Sequence, residues 1–229
     1  MSLTIPIVPP PRLPSGEVHV WIRTLDDVSP EDCRQWLAPD ERARMERFKV
    51  PLLQTRFAVA RGTLRFLAGH YLGVSPESLV FRYGAQGKPE LDGLHFNLSH
   101  SGRRMAVAFS VDGPLGLDIE EISPRLRARD IAERYFSARE RTMLDTGSEE
   151  EYLRRFYRLW TAKEAVMKAT GLGFALPLAN IEIGLDPLRL VSLRWEGPCD
   201  WDLQEVAPGA DCAGTLACRP GSVVKRFQE

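Results

Sequence analysis

Two long amphipathic stretches, each closed by a glycine, constrain this chain most. The first covers residues 52–72 and stops at Gly73. Its apolar positions Leu53, Phe57, Ala60, Leu64, Leu67, Ala68 and Tyr71 recur at helical spacing, although Gly62 and Gly69 lie inside it. The second opens with a capping signal at Ser148–Glu151 and runs to about Thr170, where Gly171 supplies the stop. A helix with one apolar face must bury it against another layer. Short strand-like runs are available on both sides: residues 17–22, 78–82, 104–110 and 115–122, then 181–183, 190–195 and 214–218. The sequence therefore predicts an α/β chain of the α+β kind, helices packed on small sheets. Further helix starts are read at Ser29-Pro30-Glu31-Asp32, at residues 40–49 and at Ser137–Glu140.

Composition narrows the class. The 229 residues, 44% of them hydrophobic and 27% charged, fit one large or two small globular domains. A break at Asp112-Gly113-Pro114 divides the chain into expected halves, 1–112 and 113–229. The net charge of −1 argues against a nucleic-acid-binding protein. No run is apolar enough to span a membrane, and the first residues lack the basic-then-apolar pattern of a secretory signal. Cys33, Cys199, Cys212 and Cys218 show no CxxC spacing and read as reduced thiols of a cytoplasmic protein. Prolines 6, 9, 10, 11 and 14 make the N-terminal arm extended.

Three segments carry chemistry. In Leu115-Gly116-Leu117-Asp118-Ile119-Glu120-Glu121-Ile122, Asp118 and Glu120 share one face of a strand, with Leu117 and Ile119 on the other. Such a pair is either a solvated strand end or a site for a hard divalent cation such as Mg²⁺. On the second long helix Phe156, Trp160, Glu164 and Lys168 follow at i+4 steps. The last two are either a surface ion pair or a carboxylate and ammonium presented to a ligand. Phe96-Asn97-Leu98-Ser99-His100-Ser101-Gly102 reads as alternation ending in a polar turn whose N–H groups and hydroxyls suit an anion. The turn Gly84–Glu90 holds Lys88 but is no Walker loop.

The order Gly87-Lys88-Pro89, Phe96–Gly102, Gly116–Glu120 and Trp160-Thr161-Ala162-Lys163-Glu164-Ala165-Val166-Met167-Lys168 resembles the 4′-phosphopantetheinyl transferase superfamily, of the Sfp type. The resemblance is dense from Gly84 to Gly173, looser over the helix around Arg47–Arg65, and slight before residue 40 and after about residue 185. It implies a pseudo-dimer of two similar halves, each a small antiparallel-type sheet with helices. It implies transfer of the phosphopantetheine arm of coenzyme A to a serine of an apo carrier protein. Asp118, Glu120 and Glu164 match the Mg²⁺ carboxylates, with Glu164 also the candidate base and Lys168 the candidate to stabilise the leaving phosphate. Ser99, His100, Lys88, Arg56 and Arg61 match coenzyme A contacts, with Lys163 ranked below Lys168. Arg125, Arg127, Arg129 and Arg134 are expected to meet an acidic carrier, and the enzyme is expected to be a cytoplasmic monomer. A metal-dependent nuclease is disfavoured, because the lysine such enzymes place two residues past the second acid is Ile122 here.

Overall fold

The computed structural model describes residues 11–228 apart from Ala85, Thr146 and Ala207; Pro6, Pro9 and Pro10 of the arm lie outside them. The first half contains β1 (Glu17–Thr24), α1 (Pro30–Arg34), α2 (Pro39–Glu46), α3 (Pro51–Leu72), β2 (Arg82–Tyr83), β3 (Pro89–Glu90), β4 (His95–Ser101) and β5 (Arg104–Ser110). The second contains β6 (Gly116–Glu121), α4 (Ala128–Tyr135), α5 (Ala138–Leu144), α6 (Glu149–Thr170), β7 (Ile181–Leu185), β8 (Leu188–Leu193), β9 (Asp202–Glu205), β10 (Cys212–Cys218) and β11 (Val223–Gln228).

The two long helices form as their caps dictate. Pro51 occupies the first turn of α3, and Gly73 ends it in the left-handed conformation at φ 69°. Ser148 caps α6 by accepting from the Glu151 amide, three glutamates fill its first turn, and Gly171 closes it. Gly62 costs α3 helix propensity but is required by packing: a Cβ there would lie 2.6 Å from the Cys33 Cβ of α1.

Each helix covers one sheet. On α3, Val59, Ala60, Leu64, Leu67 and Ala68 pack against Trp21, Met105, Val107 and Phe109 of the sheet ordered β11-β1-β5-β4. On α6, Leu159, Ala162, Val166 and Ala169 pack with Ala213 and Ala217 of the sheet β6-β10-β9 and with Ile181 and Ile183 of the β7–β8 hairpin. The inner faces then meet. Val18, Val20, Ile22, Ala106 and Ala108 of the first sheet pack on Leu117, Ile119 and Leu216 of the second. The layers run helix, sheet, sheet, helix, and β1 is buried on both faces. This is the mixed α+β architecture that the sequence suggests. The last strand returns to the first sheet: β11 pairs parallel with β1, Glu17 opposite Val223 through Ile22 opposite Gln228.

Two local expectations change. Residues 78–82 form only the two-residue strand β2, because Pro76–Ser78 is a single helical turn. Ser99, His100 and Ser101 are not a turn but the end of β4, paired residue by residue with β5 from His95–Ser110 to Ser101–Arg104. Their backbone therefore runs in a ladder rather than forming an anion cradle.

Candidate active site

The site grows from the seam between β4 and β6. One edge of β6 pairs with β10. At the other edge the amides of Leu117, Ile119 and Glu121 donate to side chains of β4: Asn97 Oδ1 at 2.8 Å, Ser99 Oγ at 3.2 Å and Ser101 Oγ at 3.1 Å. Alternation on a strand puts these three polar side chains on one face. They replace the backbone carbonyls a neighbouring strand would offer, so the amides of β6 are satisfied across the junction of the halves.

The same hydroxyls orient the acids. Ser99 Oγ donates to Asp118 Oδ1 at 3.1 Å, and Ser101 Oγ to Glu120 Oε2 at 2.6 Å. Opposite them, one turn apart on α6, stand Glu164 and Lys168. The Lys168 ammonium reaches Asp118 Oδ1 at 2.7 Å, the Leu117 carbonyl at 3.1 Å and Ser99 Oγ at 3.3 Å. Asp118, Glu120, Glu164 and Lys168 thus line one cavity of about 340 Å³ with Ser99, His100 and Trp160.

Three carboxylates face a single ammonium, that of Lys168, in this cavity. Burial pushes Asp118 above the ordinary carboxylate range even with Lys168 beside it. Glu120 is raised by burial and by Asp118, against the pull of Ser101. Glu164 is pushed up to about 7, first by burial and then by Asp118 and Glu120. Asp118 Oδ2 is buried without a hydrogen-bond partner among the described residues. Three carboxylates, one of which carries the orphaned oxygen, are the donor chemistry of a hard divalent cation. They do not form a closed cage as they stand: among the described residues no three such side chains converge as a metal site.

The cavity opens at Leu98 and His100 into a cleft of about 680 Å³, bordered by Arg44, Arg56, Arg61, Phe57 and Tyr83. Arg56 grips Asp26 through two 3.1 Å hydrogen bonds. Arg61 donates to Glu41, reaches the Tyr83 hydroxyl at 3.1 Å and lies over the Phe81 ring at 4.0 Å. Arg65 donates to the other oxygen of the same buried Glu41, at 2.5 Å. Two guanidinium groups share one carboxylate, although Arg65 is buried and turned to the Pro76 and Leu79 carbonyls, and Asp40 also lines the cleft beside Arg61.

Two expected ligand contacts are corrected. Lys163 is fully buried, paired with Glu140 at 2.8 Å and bonded to the carbonyls of Leu178, at 3.1 Å, and Ile181. The helix turns it about 100° from Glu164 and into the core, away from any phosphate. The Lys88 side chain also leaves the large cleft: its ammonium donates to the carbonyls of Lys168 and Leu115, at 2.7 and 3.1 Å. Two residues have partners that the sequence reading does not assign. Ser101 was visible in the Asn97-Leu98-Ser99-His100-Ser101 alternation, but only knowledge of the β4–β6 seam gives it a partner. Glu140 read only as a helix cap, whereas it also holds Lys163 and the Ile183 amide, the latter at 2.9 Å.

The arginine segment after β6 forms α4 and the loop before it. Arg127 pairs with Asp130 at 3.6 Å, and Arg129 pairs with Glu149 at 2.7 Å and lies over Tyr152. Arg125 and Arg134 form no ion pair among the described residues.

Comparison with known proteins agrees with this arrangement. Residues 114–215 match the model of the 4′-phosphopantetheinyl transferase superfamily. The chain is 38% identical over 218 residues to the 4′-phosphopantetheinyl transferase HetI of Nostoc sp., covering 91% of each chain. It is 31% identical over 193 residues to the 4′-phosphopantetheinyl transferase Sfp of Bacillus subtilis, covering 82% of this chain and 85% of that one. The chain belongs to the 4′-phosphopantetheinyl transferase superfamily.

Proposed function

We propose that this protein transfers the 4′-phosphopantetheine group of coenzyme A to a serine hydroxyl of an apo acyl, peptidyl or polyketide carrier protein, releasing adenosine 3′,5′-bisphosphate. The observation that carries the reading is the set of Asp118, Glu120, Glu164 and Lys168 around one cavity, opening into a cleft walled by arginines.

A bond forms between the serine oxygen and the phosphorus that bears pantetheine, and the pyrophosphate P–O bond breaks. The nucleophile comes with the partner, so the chain needs no nucleophile of its own. Asp118, Glu120 and Glu164 would hold Mg²⁺, which would supply positive charge to the pyrophosphate oxygens. Glu164 makes no hydrogen bond among the described residues and faces the cavity, in place to take the serine proton. Lys168 can leave Asp118 for the departing phosphate, as an ammonium on a flexible stem. Ser99, His100, Arg56 and Arg61 would hold coenzyme A. For the arginines the Asp26 and Glu41 pairings are the contacts a phosphate would join or replace.

The halves divide the work: 1–112 would bind the nucleotide, and 113–229 the metal and the carrier. An acidic carrier surface would meet Arg125, Arg127, Arg129 and Arg134. One chain supplies both walls of the cavity, which supports a monomer as the working unit. All four cysteines are free thiols, in keeping with a cytoplasmic enzyme. No helix of the described residues is long and apolar enough to cross a membrane.

A panel of apo acyl, peptidyl and aryl carriers incubated with the protein, Mg²⁺ and coenzyme A tests the proposal. At least one carrier should gain the mass of phosphopantetheine, and no modification of any would refute it.

A further inference from the structure

Lys88 occupies a turn whose two neighbours do something different from it. Gly87 borders the large cleft, Pro89 borders it and a second cleft, and Lys88 borders only the second cleft, with Leu115, Ala169 and Thr170. Its ammonium donates to the Lys168 carbonyl at 2.7 Å and to the Leu115 carbonyl at 3.1 Å. The first acceptor lies in the last turn of α6, where its backbone partner is the Gly171 amide at 3.3 Å and the dipole favours a cation. The second directly precedes β6.

Between these two anchor points the strand and the helix touch at the closest possible range. A Cβ on Gly116 would lie 1.9 Å from the Ala165 carbonyl oxygen and 2.4 Å from the Ala169 amide. Two residues beyond Gly116 comes Asp118. Residue 168 itself is held at both ends, its carbonyl by Lys88 and its ammonium by Asp118. The spacing between the acids of β6 and the Glu164 and Lys168 of α6 is therefore set by backbone contact, and the Lys88 ammonium closes it.

We propose that Lys88 is a positioning residue, a clamp from the β2–β3 turn that locks the last turn of α6 onto the start of β6. In that place it aligns Glu164 and Lys168 with Asp118 and Glu120 without touching the nucleotide. The inference builds on the transferase reading and assigns Lys88 a role other than the ligand contact implied by family resemblance.

Lys88→Met keeps the side-chain stem and removes both donors. Three quantities decide: kcat with an apo carrier, the Kd of coenzyme A by calorimetry, and amide exchange in the last turn of α6. The clamp predicts kcat lower by about 10- to 100-fold, as expected when reacting groups shift by a fraction of an ångström to an ångström. It predicts a coenzyme A Kd within about threefold of wild type and faster exchange in that turn. Lys88→Arg, which retains donors, should recover part of kcat. A Kd weakened about tenfold or more with kcat preserved would make Lys88 a nucleotide contact and overturn the clamp, and so would unchanged exchange. If Lys88→Met does not fold, Lys88→Gln is read by the same criteria. An inactive wild type refutes the transferase reading alone, because exchange and coenzyme A binding still decide the clamp.

Discussion

Asp118 has one oxygen held by Ser99 and Lys168 and one buried oxygen with no partner among the described residues. A buried, unpaired carboxylate oxygen is costly, so a cation bound there would stabilise the fold. At a concentration about a hundredfold above its Kd, Mg²⁺ should add about 2.7 kcal/mol, read as a rise of several degrees in Tm. Asp118→Asn should abolish the rise while the variant remains folded. A Tm rise kept in full would remove Asp118 from the metal site. Lys163 makes a contrasting case, since its partner Glu140 is equally buried. Lys163→Met strands that carboxylate and should cost about 3–5 kcal/mol in urea unfolding. A Lys163→Met/Glu140→Gln double variant should recover much of it. A phosphate ligand would behave otherwise, with stability kept and the KM for coenzyme A raised. The two lysines in one helical motif look alike in sequence. The 100° step between Lys163 and Glu164 suggests different faces, but only the placement of α5 and β7 shows that Lys163 has a core partner.

At the scale of elements, β1 is buried on both faces, with Trp21 on the α3 side and Val18, Val20 and Ile22 on the inter-sheet side. Its His19 is fully buried, with Nδ1 2.8 Å from the Tyr71 hydroxyl and Nε2 3.1 Å from Glu17. Burial lowers its pKa below the usual imidazole value, against the opposing effect of Glu17. The unfolded chain then binds a proton that the fold resists. Its contribution is intact above the unfolded pKa of about 6.5 and is lost as pH falls below it, by at most about 1.4 kcal/mol per pH unit. His19→Gln should flatten the pH dependence of the urea midpoint between pH 7.5 and 5. An identical slope would mean that other groups carry it. The helices α3 and α6 were legible in sequence because each has caps and an apolar stripe. The end of β4 was not, since Ser99-His100-Ser101 has turn-like composition. Its strand character comes from β5 on one side and from hydroxyl bonds to β6 on the other. β11 was equally hidden, because its partner β1 lies about two hundred residues away in sequence and no local pattern encodes a parallel pairing at that distance.

At the scale of the molecule, two helix-backed sheets meet face to face, and the reactive groups collect where β4 of one half borders β6 of the other. The motif residues Asp118, Glu120, Glu164 and Lys168 could be singled out through the order of motifs that resembles the transferase family, since taken singly each segment fitted a solvated strand end or a surface ion pair equally. The seam that orients them could not, because it joins side chains of one half to the backbone of the other. The partner surface belongs to this scale too. Arg125 and Arg134 carry charge that no acid of the described chain neutralises, so their reversal to Glu should raise the KM for a carrier about tenfold or more and leave that for coenzyme A nearly unchanged. Equal effects on both would place these residues at the nucleotide instead.

The central claim is that the cavity between the halves performs the transfer. Its most direct test is the intact mass of an apo carrier incubated with coenzyme A, Mg²⁺ and either wild-type protein or folded Asp118→Asn and Glu164→Gln variants. The account predicts conversion to the phosphopantetheinylated carrier by wild type and a rate lower by roughly 10²–10⁴-fold in each variant. Conversion by either variant at the wild-type rate would contradict it.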